Sequence, residues 1–105
     1  MYIEYDEYEL LELFLNEPSS LYDNEEDGEV SYTKKSQSDF ELTLFIHTYQ
    51  MECELYLSFK GKDIFSVELK EIVNIIKKDN IMSINSAKKE LVQVYFGEDF
   101  NIRII

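Results

Sequence analysis

The chain has 105 residues, of which 45% are hydrophobic and 14% aromatic, and this composition predicts one globular domain over residues 1–105. Its formal net charge of −12 disfavours binding to nucleic acid or to an anionic membrane, and no stretch approaches the roughly 18 apolar residues of a membrane span. The N-terminus lacks the pattern of a secretion signal and the single cysteine cannot form an internal disulfide, so we expect a cytoplasmic protein.

A helix is predicted over residues 5–15, ending before Pro18. Tyr8, Leu11 and Leu15 recur at helical spacing, and this apolar stripe, which Leu10 and Phe14 extend, is predicted to face the core. The opposite side of the helix mixes acidic with aromatic and aliphatic side chains, as protein interfaces do. That side carries Tyr2, Tyr5, Asp6, Glu9, Glu12 and Leu13.

Residues 19–28 are predicted to form a polar loop that is rich in carboxylates. Asp23, Glu25 and Asp27 match the first ligand positions of a calcium-binding loop, and Gly28 matches its glycine. Lys34, however, occupies the position where such a loop needs a bidentate glutamate, and a strand instead of a helix is predicted to follow. We therefore expect no metal site, and the loop is either a solvated segment or a surface for a partner.

The strand signal is weak over residues 29–36 and strong in the segments DFELTLFIH (39–47) and MECELYLSF (51–59), where apolar and polar residues alternate. Pairing the strong strands so that Phe40 lies opposite Phe59 makes every core pair apolar and sets His47 against Glu52. A shift by one residue would expose one apolar set, so this hairpin register is strongly specified.

The alternation continues through DIFSVEL (63–69), and IMSI (81–84) is predicted as a short strand. Residues 70–78 fit either a short helix or a continuing strand, because Ile72, Val73 and Ile76 have helical spacing. The end of the chain predicts a hairpin of residues 92–96 and 100–104 around Gly97. The sequence thus predicts an α+β fold in which an N-terminal helix packs on a mostly antiparallel β-sheet of about five or six strands.

No catalytic or metal-binding constellation is found in the sequence. The predicted register places His47 and Cys53 on opposite faces of the sheet, so Cys53 is expected to be a core thiol and the pair cannot act as a nucleophile with its base. One histidine and one cysteine offer no zinc-type spacing, and the three glycines are isolated, which excludes a glycine-rich phosphate loop. We therefore predict a non-enzymatic protein without cofactor or metal.

The negative charge is concentrated near the N-terminus. Residues 1–33 hold eleven carboxylates and no lysine or arginine to neutralise them locally, whereas the remainder holds eleven carboxylates and ten basic residues. Such segregation can steer a basic protein partner, although a solvated acidic face would serve solubility alone. The predicted partner-binding residues are Tyr5, Glu9, Glu12, Leu13, Tyr22, Asp23, Glu25, Glu26, Asp27 and Glu29.

A small, acidic chain with LELFLNEPSSL (11–21) before a β-meander and DFNIRII (99–105) at its end resembles the immunity proteins of bacterial toxin systems. The resemblance implies binding to a cognate toxin, often a basic nuclease, and blockage of its active site. An alternative function is that of a phage-encoded acidic nucleic-acid mimic, whose carboxylates would imitate phosphates and inhibit a DNA-binding defence enzyme.

Overall fold

The structure is a computed structural model that describes residues 1–20 and 27–105. Within these ranges the chain forms helix α1 (Glu7–Phe14), a 3₁₀ turn (Thr48–Gln50) and ten strands in two five-stranded sheets. The first sheet, in spatial order, contains β1 (Glu4–Tyr5), β7 (Ile72–Lys78), β8 (Ile81–Ser86), β9 (Glu90–Phe96) and β10 (Phe100–Ile104). The second contains β2 (Ser19–Ser20), β3 (Glu29–Lys35), β4 (Phe40–His47), β5 (Glu52–Phe59) and β6 (Lys62–Leu69).

Each sheet is mostly a meander of neighbours in sequence. Strands β2 to β6 pair antiparallel in chain order, as do β7 to β10, and β1 adds to β7 as the single parallel pair among the described strands. The hairpin predicted from alternation is confirmed residue by residue, from Phe40 opposite Phe59 to His47 opposite Glu52. The C-terminal hairpin is also confirmed, with Phe96 opposite Phe100.

The prediction of a single sheet is wrong, because the chain changes sheets between β6 and β7. Leu69 is buried at the end of the second sheet and Ile72 is buried at the start of the first, with only Lys70 and Glu71 between them. Glu71 has a left-handed backbone (φ 57°), which turns the chain, and the amide of Ile72 donates to the Met51 carbonyl (2.8 Å). The alternation of apolar and polar residues shows which residues face the core, but it does not show to which sheet a strand belongs.

Residues 72–78 form a strand, not a helix. A register shift between Ile72 and Asn74 places an extra residue in β7, and the buried positions become Ile72 and Ile75. This spacing of three residues imitates one turn of a helix, because a bulge breaks the period of two. The bulge therefore explains why the sequence left both interpretations open.

One apolar core joins both sheets and the helix. The ring of Phe14 lies 5.4 Å from that of Tyr32 in the second sheet and 5.0 Å from that of Phe96 in the first. Cys53 is fully buried, as predicted, and the described part of the chain contains no buried polar or charged residue. No helix in that part is long and apolar enough to cross a membrane.

The prediction of which helix face is buried is correct for Leu10 and Phe14 and wrong for Tyr8, Leu13 and Leu15. Leu10, Leu13 and Phe14 enter the core, whereas Tyr8 and Leu15 are exposed. The helix is shorter than predicted: Asp6 caps its start, and Leu15 ends it in a left-handed conformation (φ 58°) that turns the side chain away from the core. The prediction rested on helical spacing alone. In a helix of only eight residues, the predicted set of apolar residues and the buried set differ by about one position, and both fit that spacing.

Candidate partner-binding surface

Helix α1 is held in place at both ends by polar contacts. The carboxylate of Asp6 accepts hydrogen bonds from the backbone amides of Tyr8 (2.8 Å) and Glu9 (3.4 Å). At the other end, the ammonium of Lys34 donates to the carbonyl of Leu13 (3.2 Å), where the helix dipole favours a positive charge. These contacts hold the acidic side of the helix towards the surface beside β1 and β7.

One lysine partly neutralises this acidic side, contrary to what the sequence indicated. The ammonium of Lys77 in β7 lies 3.3 Å from the carboxylate of Glu12, and its backbone amide donates to Glu9 (3.4 Å). The side chain of Glu12 is 64% exposed, so solvent screens the pair and it adds little stability. The lysine comes from a strand more than sixty residues away, which no local charge count reveals.

A cleft of about 340 Å³ opens between the start of α1 and β3. Tyr5, Tyr8 and Tyr32 line it together with Glu7 and Glu17. Burial raises the pKa of Tyr32, and the negative potential of Tyr5, Glu7 and Glu17 raises it further. Burial and Glu7 likewise raise the pKa of Tyr5. Burial is the largest cause of both shifts, and Glu7 and Glu17 add negative potential to the cleft.

The structure describes six of the ten predicted binding residues. Tyr5 and Glu9 are half-buried, Glu12 and Asp27 are exposed, and Glu29 is half-buried at the start of β3. The prediction that Leu13 contacts a partner conflicts with its burial, since only 3% of it is exposed. The remaining predicted residues lie outside the described part of the chain: Tyr22, Asp23, Glu25 and Glu26.

The outer face of the second sheet carries a polar network that the sequence did not predict. The imidazole of His47 is hydrogen-bonded through Nδ1 to Glu29 and through Nε2 to Glu54 (2.8 Å), and the hydroxyl of Tyr56 donates to Glu54 (2.9 Å). The ring of Tyr56 meets that of Phe45 edge-on, with centroids 5.6 Å apart. The network joins β3, β4 and β5 across their outer surface.

The charges in this network shift one another's pKa values. Burial alone would lower the pKa of His47, but its hydrogen bonds to Glu54 and Glu29 outweigh burial and raise it. The hydrogen bond from His47 lowers the pKa of Glu54, and the hydrogen bond to Glu54 raises that of Tyr56. The network is therefore most favourable with a protonated imidazole between two carboxylates.

The prediction that His47 pairs with Glu52 is correct for the backbone and wrong for the side chain. Glu52 lies directly opposite His47 in the ladder, but the imidazole contacts Glu54, two residues further along that strand, and Glu29 on the other side. Diagonal neighbours lie within reach of long side chains across an antiparallel pair. If the weak strand over residues 29–36 had also been paired with the strand that contains His47, Glu29 would have been predicted to lie opposite His47.

The groups that could carry chemistry are separated. Cys53 faces the core, where burial raises its thiol pKa to about 12, and His47 faces outwards, so they form no thiol dyad. Across residues 1–20 and 27–105, no group of three or more His, Cys, Asp or Glu side chains is placed to hold a metal ion. What the described surface offers is instead a half-buried polar network and exposed carboxylates beside tyrosine rings.

These features define a mixed α+β protein in which a short helix and two mostly antiparallel sheets share one core. A solved structure with a similar fold is a chain of the contact-dependent growth inhibition toxin–immunity protein complex from Klebsiella pneumoniae 342. The TM-score is 0.80 at 17% sequence identity, and the match covers 98% of this chain and 96% of that one. No family model and no curated protein matches the sequence. The resemblance to toxin–immunity systems is thus confirmed at the level of the fold.

Proposed function

We propose that this chain is an immunity protein, a non-enzymatic cytoplasmic protein that binds and neutralises a bacterial toxin. The observation that carries the proposal is the fold, which is shared over nearly the whole length of both chains with a member of a toxin–immunity complex. The concentration of carboxylates near the N-terminus supports it, because crowded like charges weaken a fold and are useful where a basic partner binds.

The partner we propose is a basic toxin domain, and a nuclease fits this description because it needs a positive groove for phosphates. Its approach surface is the N-terminal acidic surface, defined here as Tyr5, Glu9, Glu12, Asp27 and Glu29. The exposed carboxylates among them are suited to attract the toxin over a distance, since exposed charges act mainly on the rate of association.

The test uses the toxin domain that, on this proposal, is encoded directly upstream of the gene for this chain. Co-expression should restore growth of cells that produce this toxin domain, and the purified proteins should form a complex whose association rate falls steeply with salt. No complex, or an association rate that salt leaves unchanged, would contradict the proposal.

A pair of matched variants locates the approach surface. The double substitution Glu9→Gln and Glu12→Gln should slow association while the protein stays folded, because it removes the charge of one half-buried and one exposed carboxylate and changes side-chain volume little. The control changes the charge equally at Glu98→Gln and Asp99→Asn, two exposed residues in the turn between β9 and β10. Equal effects of both variants would show that net charge matters and the position of the carboxylates does not.

A further inference from the structure

The outer face of the second sheet has an unusual distribution of charge. In β3 to β6, all of which the structure describes, the ladder registers place only one lysine or arginine on this face, Lys35. Lys35 lies at the far end of β3 and pairs there with Glu41 (3.6 Å). The same registers place six carboxylates on the face: Glu29, Glu41, Glu52, Glu54, Asp63 and Glu68.

Two of these carboxylates face each other directly. Glu54 in β5 is the ladder partner of Glu68 in the edge strand β6. Like charges in directly opposed positions of a ladder repel each other, but His47 and Tyr56 hold the Glu54 carboxylate by hydrogen bonds, which offset the repulsion. The pair lies beside the aromatic pair of Phe45 and Tyr56, because Phe45 is the ladder partner of Glu54 on its other side. A sheet face that contacts only water requires neither two opposed carboxylates nor an aromatic pair beside them.

The carboxylate of Glu54 is held in position before any partner arrives. His47 and Tyr56 both donate to it, and its side chain is 27% exposed, against 12% for Glu29. Fixed donors reduce the rotamer freedom that the side chain would otherwise lose on binding. A partly desolvated carboxylate also attracts a cation more strongly than a fully solvated one.

We propose that the acidic sheet face, defined as Glu29, Phe45, His47, Glu54, Tyr56 and Glu68, is a second contact surface that receives an arginine-bearing segment of the toxin. The inference rests on the proposed function and specifies a surface on which the toxin is held. A guanidinium pairs with a carboxylate through two parallel hydrogen bonds and also packs against aromatic rings. This face offers carboxylates at Glu54 and Glu68 and, beside them, the aromatic rings of Phe45 and Tyr56. A guanidinium bound there would place a positive charge beside the carboxylates of Glu54 and Glu68, which are ladder partners.

This face is continuous with the N-terminal acidic surface. Thr48, which follows β4, donates its amide to the carbonyl of Gly28 (3.0 Å) and accepts from the amide of Ile3 (3.0 Å). Glu29, next to Gly28, belongs to both surfaces. One toxin domain could therefore contact both, with the exposed carboxylates setting the association rate and the half-buried network setting the dissociation rate.

The test measures dissociation of the complex with the upstream-encoded toxin domain. Glu68→Gln removes one exposed charge and leaves the His47 network intact, and the double variant Glu54→Gln and Glu68→Gln removes the whole opposed pair. We expect the double variant to dissociate at least about thirtyfold faster, and Glu68→Gln at an intermediate rate. The control variant Glu98→Gln and Asp99→Asn should dissociate as the wild type does. Wild-type dissociation of both test variants would overturn the inference and leave the proposed function standing.

A second measurement does not depend on the toxin. A hexa-arginine peptide is titrated into the wild-type protein, and backbone amide resonances are followed by NMR. We expect the largest shifts around Glu54, Tyr56 and Glu68, with loss of these shifts in the double variant. Shifts confined to helix α1 would refute the sheet face as a cation-binding surface even if the toxin binds.

Discussion

Truncation of Leu13 to alanine is expected to destabilise the protein by about 3 kcal/mol, whereas truncation of Leu15 should change its stability by less than about 0.5 kcal/mol. The two residues lie at the end of the same helix and the chemical change is identical. Leu13 is 3% exposed within the common core, and Leu15 is 68% exposed. The comparison therefore mainly tests burial, because the residue type and the change in volume are the same, although Leu13 lies within α1 and Leu15 just beyond its end.

The magnitude follows from the site. Removing a buried leucine side chain costs its transfer free energy and leaves a cavity, in total about 2–5 kcal/mol. The left-handed backbone of Leu15 is kept in the alanine variant, so no new backbone strain enters the control. Against a total stability of about 5–15 kcal/mol, the loss at Leu13 is large. For a domain of about this size it corresponds to a fall in melting temperature of roughly 12–24 °C.

Urea denaturation followed by circular dichroism measures both variants, with the thermal midpoint as an independent check. Similar losses for the two variants would refute the orientation of helix α1. A larger loss for Leu15→Ala would support instead the stripe that the sequence predicted. Binding of the toxin domain by a folded Leu15→Ala variant should be unchanged, since Leu15 is not part of the proposed contact surfaces.

Two further predictions concern the single histidine and the single cysteine. Because His47 has a raised pKa in the folded protein, its ion pairs with Glu54 and Glu29 stabilise the fold fully below pH 6.5, and this stabilisation is lost as the pH rises through the folded value. Urea titrations should therefore show stability falling as the pH rises above 6.5 in the wild type and staying level in His47→Gln; parallel curves would contradict this. Cys53→Asp should cost roughly 3–5 kcal/mol by burying an unpaired charge, and native Cys53 should react with a thiol reagent only as the protein unfolds; rapid labelling would show that Cys53 is accessible.

The central and C-terminal hairpins were predictable because alternation and register constrain each other. The four inward-facing residues of β4 all find apolar partners in β5 when Ile46 lies opposite Cys53, a shift by one residue would break this pairing, and the structure has that register. The division into two sheets was not predictable, since it depends on a turn at Glu71 and on a bulge in β7. Both break the period of two, because Leu69, Ile72 and Ile75 are buried at intervals of three residues, and that spacing also fits a helix.

The site was predictable only where charge is clustered along the chain. Glu9 and Glu12 are three residues apart, so the helical spacing alone predicts that they lie on the same side of the helix. The network around His47 joins three strands, and Glu29 is eighteen residues from it in the chain. Lys77 likewise reaches Glu12 through the pairing of β1 with β7. Such contacts arise from tertiary structure, and predicting them from the sequence would require the pairing of all strands to be known.

A fold of this kind separates the residues that stabilise it from those available to a partner. The described core is entirely apolar, and apolar cores tolerate exchange among residues of similar volume. Two chains can therefore keep a TM-score of 0.80 at 17% identity, provided that inward positions stay apolar. The outward positions are free to change, so acidic residues can gather there without weakening the core. Glu54 and Glu68 are ladder partners at such positions, and a cationic partner would be attracted by both.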